Sequence, residues 1–341
     1  MEVGLKDVAE ALEGVLLPES KRSLPQLNMV RDIEVSGERV KLSLALTVLS
    51  AAERERVQER VRAAVEALPG VKEVAIDLVE RSPNELNEFD HVIAVMSGKG
   101  GVGKSLVTAL FAIALTRQGY QVGILDADLT GPSIPKMFGL EKRPIGSEGG
   151  ILPVETRSGI EVMSINLLLP HEDDAVIWRG PLLAQVITQF WQEVVWGKLD
   201  YLFIDLPPGT GDISLTVMQS LPLSGVIIVS TPQELAAMVV KKAVHMVHQL
   251  NISVLGVVEN MSYLVIPETG KRIELFGRSK GEAMAKEVEA PFLGQLPLDP
   301  ELAELCDAGE IERYNSDAFI ALSMAFTQAM PALAHPLHDH D

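Results

Sequence analysis

The chain has 341 residues, enough for about two domains at roughly 150 residues each. With 47% hydrophobic and 22% charged residues it has the composition of a packed globular protein, which excludes disorder or a collagen-like repeat as its dominant state. Its 29 Lys plus Arg stand against 47 Asp plus Glu, a formal charge of −18 that repels a phosphate backbone and argues against nucleic acid as a partner.

The opening Met1 to Asp7 has no basic stretch leading into an apolar one, and Cys306 is the one cysteine. The expectation is a cytoplasmic protein without an intrachain disulfide. From Leu5 to Leu16 the apolar residues recur with a helical period. Val30 to Val35 and Val40 to Val48 alternate like two strands around the turn Ser36-Gly37-Glu38-Arg39. Glu53 to Leu68 is a charged helix with Val57, Val61, Ala64, Val65 and Leu68 as its stripe, stopped by Pro69-Gly70, and Val71 to Val79 reads as a third strand. These elements make a small α+β domain over 1–82, followed by a polar linker over 83–90.

From His91 the rhythm changes to strand, helix, strand. Val92 to Met96 leads into a glycine-rich loop, a helix from Lys104 to about Gln118, and a strand over Val122 to Leu125. Gly149 to Ile165 reads as an inserted hairpin turning at Arg157-Ser158-Gly159. Later strands are Tyr201 to Ile204, Val226 to Ser230 and Val254 to Val258, with a helix from Gln233 to about Gln249. Near-continuous Val, Ile and Leu runs separated by helices predict an α/β domain over 91–334, a mainly parallel sheet covered by helices on both faces. The richest late run, Ala318 to Ala334, is broken by Ser323, Thr327, Gln328 and Pro331. It falls short of the roughly eighteen apolar residues a membrane span needs, so no membrane partner is expected. His335 to Asp341 is read as a flexible tail.

The loop between the first strand and helix reads Gly98-Lys99-Gly100-Gly101-Val102-Gly103-Lys104-Ser105. Gly98, Gly100 and Gly103 match a dinucleotide fingerprint, with Asp126 at about the distance of a ribose-binding acid. The same residues match a phosphate loop, in which backbone N–H groups wrap the phosphates, Lys104 reaches the β/γ oxygens and Ser105 ligates Mg²⁺. A dinucleotide site has no use for Lys-Ser there. Tyr201 to Asp205 is an apolar strand ending in a carboxylate, the arrangement that holds Mg²⁺ opposite such a loop, and Asp126-Ala127-Asp128 ends another strand. The nucleoside-triphosphate reading is therefore preferred. Lys99, directly after the first glycine, marks the deviant form of the loop with a signature lysine.

With these motifs the chain resembles the Mrp/ApbC family of P-loop ATPases, relatives of the MinD, ParA and nitrogenase iron-protein group. The resemblance is carried by the deviant loop, Asp126-Ala127-Asp128-Leu129-Thr130-Gly131-Pro132-Ser133, Gly150 to Thr156 and Trp178-Arg179-Gly180-Pro181. Asp205 to Asp212, Ser230-Thr231-Pro232-Gln233, Glu259 to Tyr263 and Pro297-Leu298-Asp299-Pro300 also carry it. Through Leu27 to Asp32 the N-terminal domain resembles a domain related to iron–sulfur assembly factors. The resemblance implies a homodimer that binds and slowly hydrolyses ATP with Mg²⁺, in which Lys99 reaches the phosphates of the opposite subunit. It further implies Asp128 as the acid that orients water, Asp126 as its metal-side neighbour, Asp205 with Gly209 as the second switch, and Asn260 at the adenine. The family role it implies is carrying an iron–sulfur cluster to client or assembly proteins.

The family's cluster rests on a Cys-Pro-x-Cys motif shortly after the Asn-Met-Ser-Tyr segment. Here that stretch reads Val265-Ile266-Pro267-Glu268-Thr269-Gly270, so Ile266 and Thr269 stand where two thiolates belong. Ala51 likewise stands where the N-terminal domain usually has a cysteine. Cys306 lies in a helical-looking stretch, where a cysteine is ordinarily a small core residue. The expectation is an ATPase that lacks iron–sulfur ligands. The alternatives are a nucleotide-switched scaffold without a cluster and a MinD/ParA-like partitioning ATPase.

Overall fold

The computed structural model of the chain describes residues 3–17, 20, 22–128, 131, 133–147, 149–168 and 180–330, apart from the side chains of 180–184, 212 and 234–240. Leu129, Thr130, Pro132, the stretch from His171 to Asp174, Trp178, Arg179 and the tail from His335 lie outside the described residues. The chain forms two units. The first combines residues up to Phe89 with Arg143–Glu155 and Gln189–Leu199; the second holds Asp90–Lys142, Thr156–Thr188 and the chain from Asp200 onward.

In the first unit the helix Leu5–Glu13 buries Val8 and Leu12. Strands Val30–Ser36 and Arg39–Leu44 pair antiparallel around Gly37, whose φ of 60° suits the tight turn. Ser50 starts the helix Ala51–Glu66 with a capping box, its hydroxyl accepting from Glu53 N while Glu53 reaches back. Val57, Val61 and Val65, four apart, form the buried stripe of that helix. Glu73–Leu78 then pairs parallel with Arg39–Leu44 to complete a three-stranded sheet.

The core of this unit also takes Leu152 and Val195 from the two later segments. Arg22, 3% exposed, donates to the carbonyls of Trp196 at 2.5 Å, Lys198 at 2.7 Å and Gln26 at 2.8 Å. Asn87 adds a bridge, accepting from Trp196 N and donating to Val194 O, both at 2.8 Å. The stretch over 83–90 is not extended: Pro83–Leu86 is a short helix, and a strand begins at Glu88. Its polar composition is also a helix-start signal, with Pro at the first position and the Glu85 carboxylate accepting from Ser82 N and Oγ.

The second unit holds seven strands of an eight-stranded sheet. Their spatial order is Phe292–Gln295, Val254–Glu259, Gly225–Ser230, Glu88–Ser97, Lys198–Asp205, Val122–Asp126 and Glu161–Ser164. The resolved registers are parallel, among them Asp205 opposite Asp126 and Val229 opposite Ser97. The central strands are buried without interruption, Val92 to Ser97 and Val226 to Ser230 included, which is why they read as continuous apolar runs. The turn expected at Arg157-Ser158-Gly159 forms, Thr156 N donating to Ile160 O at 2.9 Å and Gly159 taking a φ of 92°, but the hairpin expected over Gly149 to Ile165 is neither one continuous pair nor an insertion apart from the sheet. Gly150–Leu152 pairs back onto Ile145–Ser147, while the wholly buried Glu161–Ser164 joins the main sheet beside Val122–Asp126. No helix among the described residues is long and apolar enough to cross a membrane.

Six of these strands end in a buried polar residue: Ser97, Asp126, Ser164, Asp205, Ser230 and Glu259, each at most 1% exposed. A parallel sheet presents its ligand crevice at these carboxyl ends, so the fold gathers polar chemistry on one edge of an otherwise apolar layer.

Candidate nucleotide site

The phosphate loop leaves the strand Glu88–Ser97 and enters the helix Lys104–Thr116. Gly101 and Gly103 have φ of 77° and 79°, which a side chain would strain. At Gly103 a Cβ would in addition overlap the Asn260 amide. The sharp turn aims the helix N-terminus, with its unpaired N–H groups, at the crevice.

Lys104, 6% exposed, lies at the centre of the charge cluster. Its Nζ is 2.6 Å from Asp205 Oδ1, 3.7 Å from Asp128 Oδ2 and 3.4 Å from Ser105 Oγ. Ser105 Oγ donates to Asp205 Oδ2 at 2.5 Å, and Thr108 Oγ1 donates to Asp205 Oδ1 at 3.1 Å. On the next strand Ser164 Oγ donates to Asp126 Oδ2 at 3.0 Å, and Asp128 N donates to Asp126 Oδ1 at 3.2 Å. Burial holds the Asp126 carboxyl well above the usual carboxylate range; the Asp205 charge adds to this and Lys104 opposes it. Burial raises Asp205 as well, opposed by its ion pair and hydrogen bond with Lys104.

Asp128 and Asp205 thus both pair with Lys104, and the hard oxygens of Ser105 and Asp205, converging on one another, fit a Mg²⁺ ion. The Pro208-Gly209 turn packs against the loop: Gly209, with φ of 89°, donates its N–H to Ser97 O at 3.0 Å, and Pro208 lies 3.7 Å from where a Gly100 Cβ would be.

Gly98 through Ser105, Asp126, Asp128, Asp205, Gly209 and Asn260 all belong to the second unit. The 2%-exposed Asn260 spends an amide N–H on Val102 O at 2.9 Å, so it braces the phosphate loop. Lys99 extends to Gln233, its Nζ 2.6 Å from Oε1. Sequence reasoning missed Thr108, Ser164 and Gln233. Thr108 lies one helical turn beyond Lys104, a spacing that could have revealed it, whereas Ser164 became visible once its segment joined the sheet.

Ile266 and Thr269 lie in the connection of a small hairpin, Leu264–Val265 with Arg272–Ile273. Thr269 N closes the turn on Ile266 O at 3.2 Å, and the carbonyl of Ile266 also accepts from Gly270 N. Among the described residues no group of three or more His, Cys, Asp or Glu is arranged to hold a metal ion. Burial, with Asp307 adding to it, pushes the Cys306 thiol up to about 11, which keeps it protonated and a poor ligand.

Residues 88–331 match the NUBPL iron-transfer P-loop NTPase family, and residues 5–77 match the iron-sulfur cluster assembly protein family. An iron-sulfur cluster carrier protein of Methanocaldococcus jannaschii is 48% identical over 71% of this chain and 84% of its own. One from Aquifex aeolicus is 36% identical over 96% of this chain and 99% of its own. A solved nucleotide-binding protein of Archaeoglobus fulgidus, in complex with ADP, is 50% identical with a TM-score of 0.63, covering 70% of this chain and 94% of that one. The Aquifex aeolicus MinC:MinD complex, at 20% identity and a TM-score of 0.51 over 71% of this chain and 98% of that one, shares the fold. The chain therefore belongs to the Mrp/ApbC-type family of iron–sulfur cluster carrier P-loop NTPases, within the ParA group, with an iron–sulfur assembly domain at its N-terminus.

Proposed function

We propose that this chain binds ATP with Mg²⁺ and hydrolyses it slowly as a homodimer, using the nucleotide to govern docking of iron–sulfur assembly or client proteins. The observation that carries the reading is the convergence of Lys104, Ser105, Asp128 and Asp205 beneath a glycine-rich loop. In this mechanism the loop N–H groups cradle the phosphates, and Lys104 turns from Asp205 to the β/γ oxygens. Ser105 and Asp205 hold Mg²⁺, which when bound neutralises charge on those oxygens, and Asp126 supports the acid beside it. Asp128 accepts a hydrogen bond from the attacking water and keeps it in line. Water attacks the γ-phosphorus, the bond to the bridging oxygen breaks, and ADP and phosphate leave.

Lys99 of the partner subunit supplies a cation where charge develops, the task an arginine finger performs elsewhere. Asn260, with the second N–H and the carbonyl oxygen that an amide offers, approaches the adenine edge. Cluster carriage does not extend to this chain on its own thiolates, because Ile266 and Thr269 cannot ligate iron as cysteines would. The nucleotide-switched scaffold is therefore the reading we adopt.

The test is ATP binding by titration calorimetry and phosphate release, on wild-type protein and on mixtures of Lys99→Ala with Lys104→Ala chains. A mixed dimer has one site combining an intact Lys104 with a Lys99 supplied from across the interface, so mixtures should recover activity that neither variant has alone. Strictly additive activities would refute the trans-acting lysine, and an absence of ATP binding would refute the whole reading.

A further inference from the structure

Lys99 and Lys104 lie five residues apart on one loop, yet they are held by different kinds of partner. Lys104 is bound to a buried carboxylate. Lys99 donates to the neutral amide oxygen of Gln233. From this we infer that Gln233 is a positioning residue: a latch that parks Lys99 within its own chain until a nucleotide draws it away. The kinetic part of the inference rests on the ATPase reading above.

The latch is built by the sheet. Gly225–Ser230 runs parallel beside the loop strand with Val229 opposite Ser97, so the turn Thr231-Pro232-Gln233 arrives level with the start of the phosphate loop. Gln233 is the N-cap of the helix Glu234–Gln249, but its side chain makes no capping bond. Gln is a poor capping residue compared with Ser, Thr, Asp or Asn, and here its longer side chain reaches Lys99 instead. The Lys99 backbone is fixed separately, its carbonyl accepting from Ser97 Oγ at 2.9 Å. The lysine side chain itself is half-buried.

The chemistry of the acceptor sets the strength of the latch. A bond from an ammonium group to a neutral oxygen is strong enough to hold a flexible side chain in one pose. It leaves the positive charge unneutralised, so phosphate oxygens compete for it successfully. A carboxylate at 233 would convert the contact into an ion pair and hold Lys99 against that competition. An apolar side chain of the same length would release it. The two changes should therefore act in opposite directions.

The experiment compares wild-type, Gln233→Met and Gln233→Glu proteins as full-length chains. Acylation of Lys99 by acetic anhydride, quantified by mass spectrometry on nucleotide-free protein, reads the latch without reference to activity. Gln233→Met should raise the labelling rate about threefold or more, and Gln233→Glu should lower it by a similar factor. In parallel, kcat for ATP hydrolysis should rise several-fold in Gln233→Met and fall several-fold in Gln233→Glu. ATP affinity should stay within about twofold, because Lys99 is repositioned while the nucleotide's other contacts are kept. Equal Lys99 labelling in all three proteins would overturn the latch, as would a loss of activity in both variants. If wild-type protein proves not to hydrolyse ATP, the ATPase reading fails and the labelling comparison alone decides the latch.

Discussion

Asp205, at the end of its strand, has no exposed surface and accepts hydrogen bonds from the side chains of Lys104, Ser105 and Thr108. Thr269, in the connection of the 264–273 hairpin, is exposed, and its backbone N–H closes the turn on Ile266. In family terms the first region handles the nucleotide and the second is where cluster ligands would lie. At the sheet edge, polar atoms are committed to one another in a buried charge network, which is costly unless it serves chemistry. In the hairpin the backbone turn persists while soft ligands are absent, and Val265, Leu275 and Phe276 nearby are exposed apolar residues. The difference teaches that a chain of this family can hold a buried charge network beneath its glycine-rich loop while this hairpin offers no thiolate.

The sharpest way to break that comparison is Lys104→Ala. It removes the cation facing the phosphates and leaves Asp205 buried without its ion pair. ATP affinity measured by calorimetry should fall by about a thousandfold or more, and turnover should vanish. Unchanged hydrolysis would mean that the cluster beneath the loop is structural. Asp128→Asn should have a narrower effect. Its carboxylate is 3.7 Å from Lys104 and partly open, at 13% exposure. Nucleotide affinity should change by less than about threefold while single-turnover hydrolysis slows by about a hundredfold or more, because the position of the water is lost and binding is retained. A collapse of affinity with intact turnover of bound ATP would reassign Asp128 to the metal.

The other region can be sharpened by restoring what it lacks. Wild-type protein reconstituted anaerobically with iron and sulfide should hold little or no [4Fe–4S] cluster. Ile266→Cys with Thr269→Cys places thiolates at either side of Pro267–Glu268 in a turn closed by its own hydrogen bond. That protein should gain the brown absorbance and approach about four irons per dimer. A stable cluster in the unmodified chain, lost on Cys306→Ser, would show that the ligands had been sought in the hairpin when one lies in the helix Pro300–Asp307.

Much of this contrast was legible in the amino-acid order. Lys104, Ser105, Asp126 and Asp205 were found because a phosphate loop and apolar strands ending in acids are local patterns, and the parallel sheet followed from the runs that two-sided burial demands. The absent thiolates were legible as well. What escaped were contacts made by topology. Ser164 was assigned to an inserted hairpin, and only its strand's place beside Val122–Asp126 brings its hydroxyl to Asp126. Gln233 reads as the start of a helix, and the neighbouring position of Gly225–Ser230 is what delivers it to Lys99. The segments 143–155 and 189–199 carry no composition signal that would assign them to the first unit; Arg22 and Asn87 secure the second of them through backbone carbonyls and N–H groups, which any sequence presents.

The smallest expected effect concerns stability at the sheet edge. Burial raises the folded-state pKa of Asp126 above its ordinary value of 3.8, with Asp205 contributing in the same direction. A carboxyl group with a raised folded pKa favours the folded state fully below the unfolded pKa and loses that contribution as pH rises through the folded pKa. Asp126→Asn removes the titration and keeps the shape, at the loss of one of the two hydrogen bonds from Ser164 Oγ and Asp128 N, about 1 kcal/mol. Below about pH 4 the variant should therefore be no more stable than wild type, and slightly less. Its relative stability should then climb with pH and level off once the folded-state pKa is passed, ending a few degrees higher in Tm, since about 1 kcal/mol corresponds to about 2–4 °C for a domain of this size. The comparison belongs in chelator without nucleotide, because a bound divalent cation would supply the missing positive charge and shrink the gain. A Tm difference that is flat from pH 4 to pH 8 would mean that Asp126 does not titrate abnormally, and that its neighbours already neutralise it.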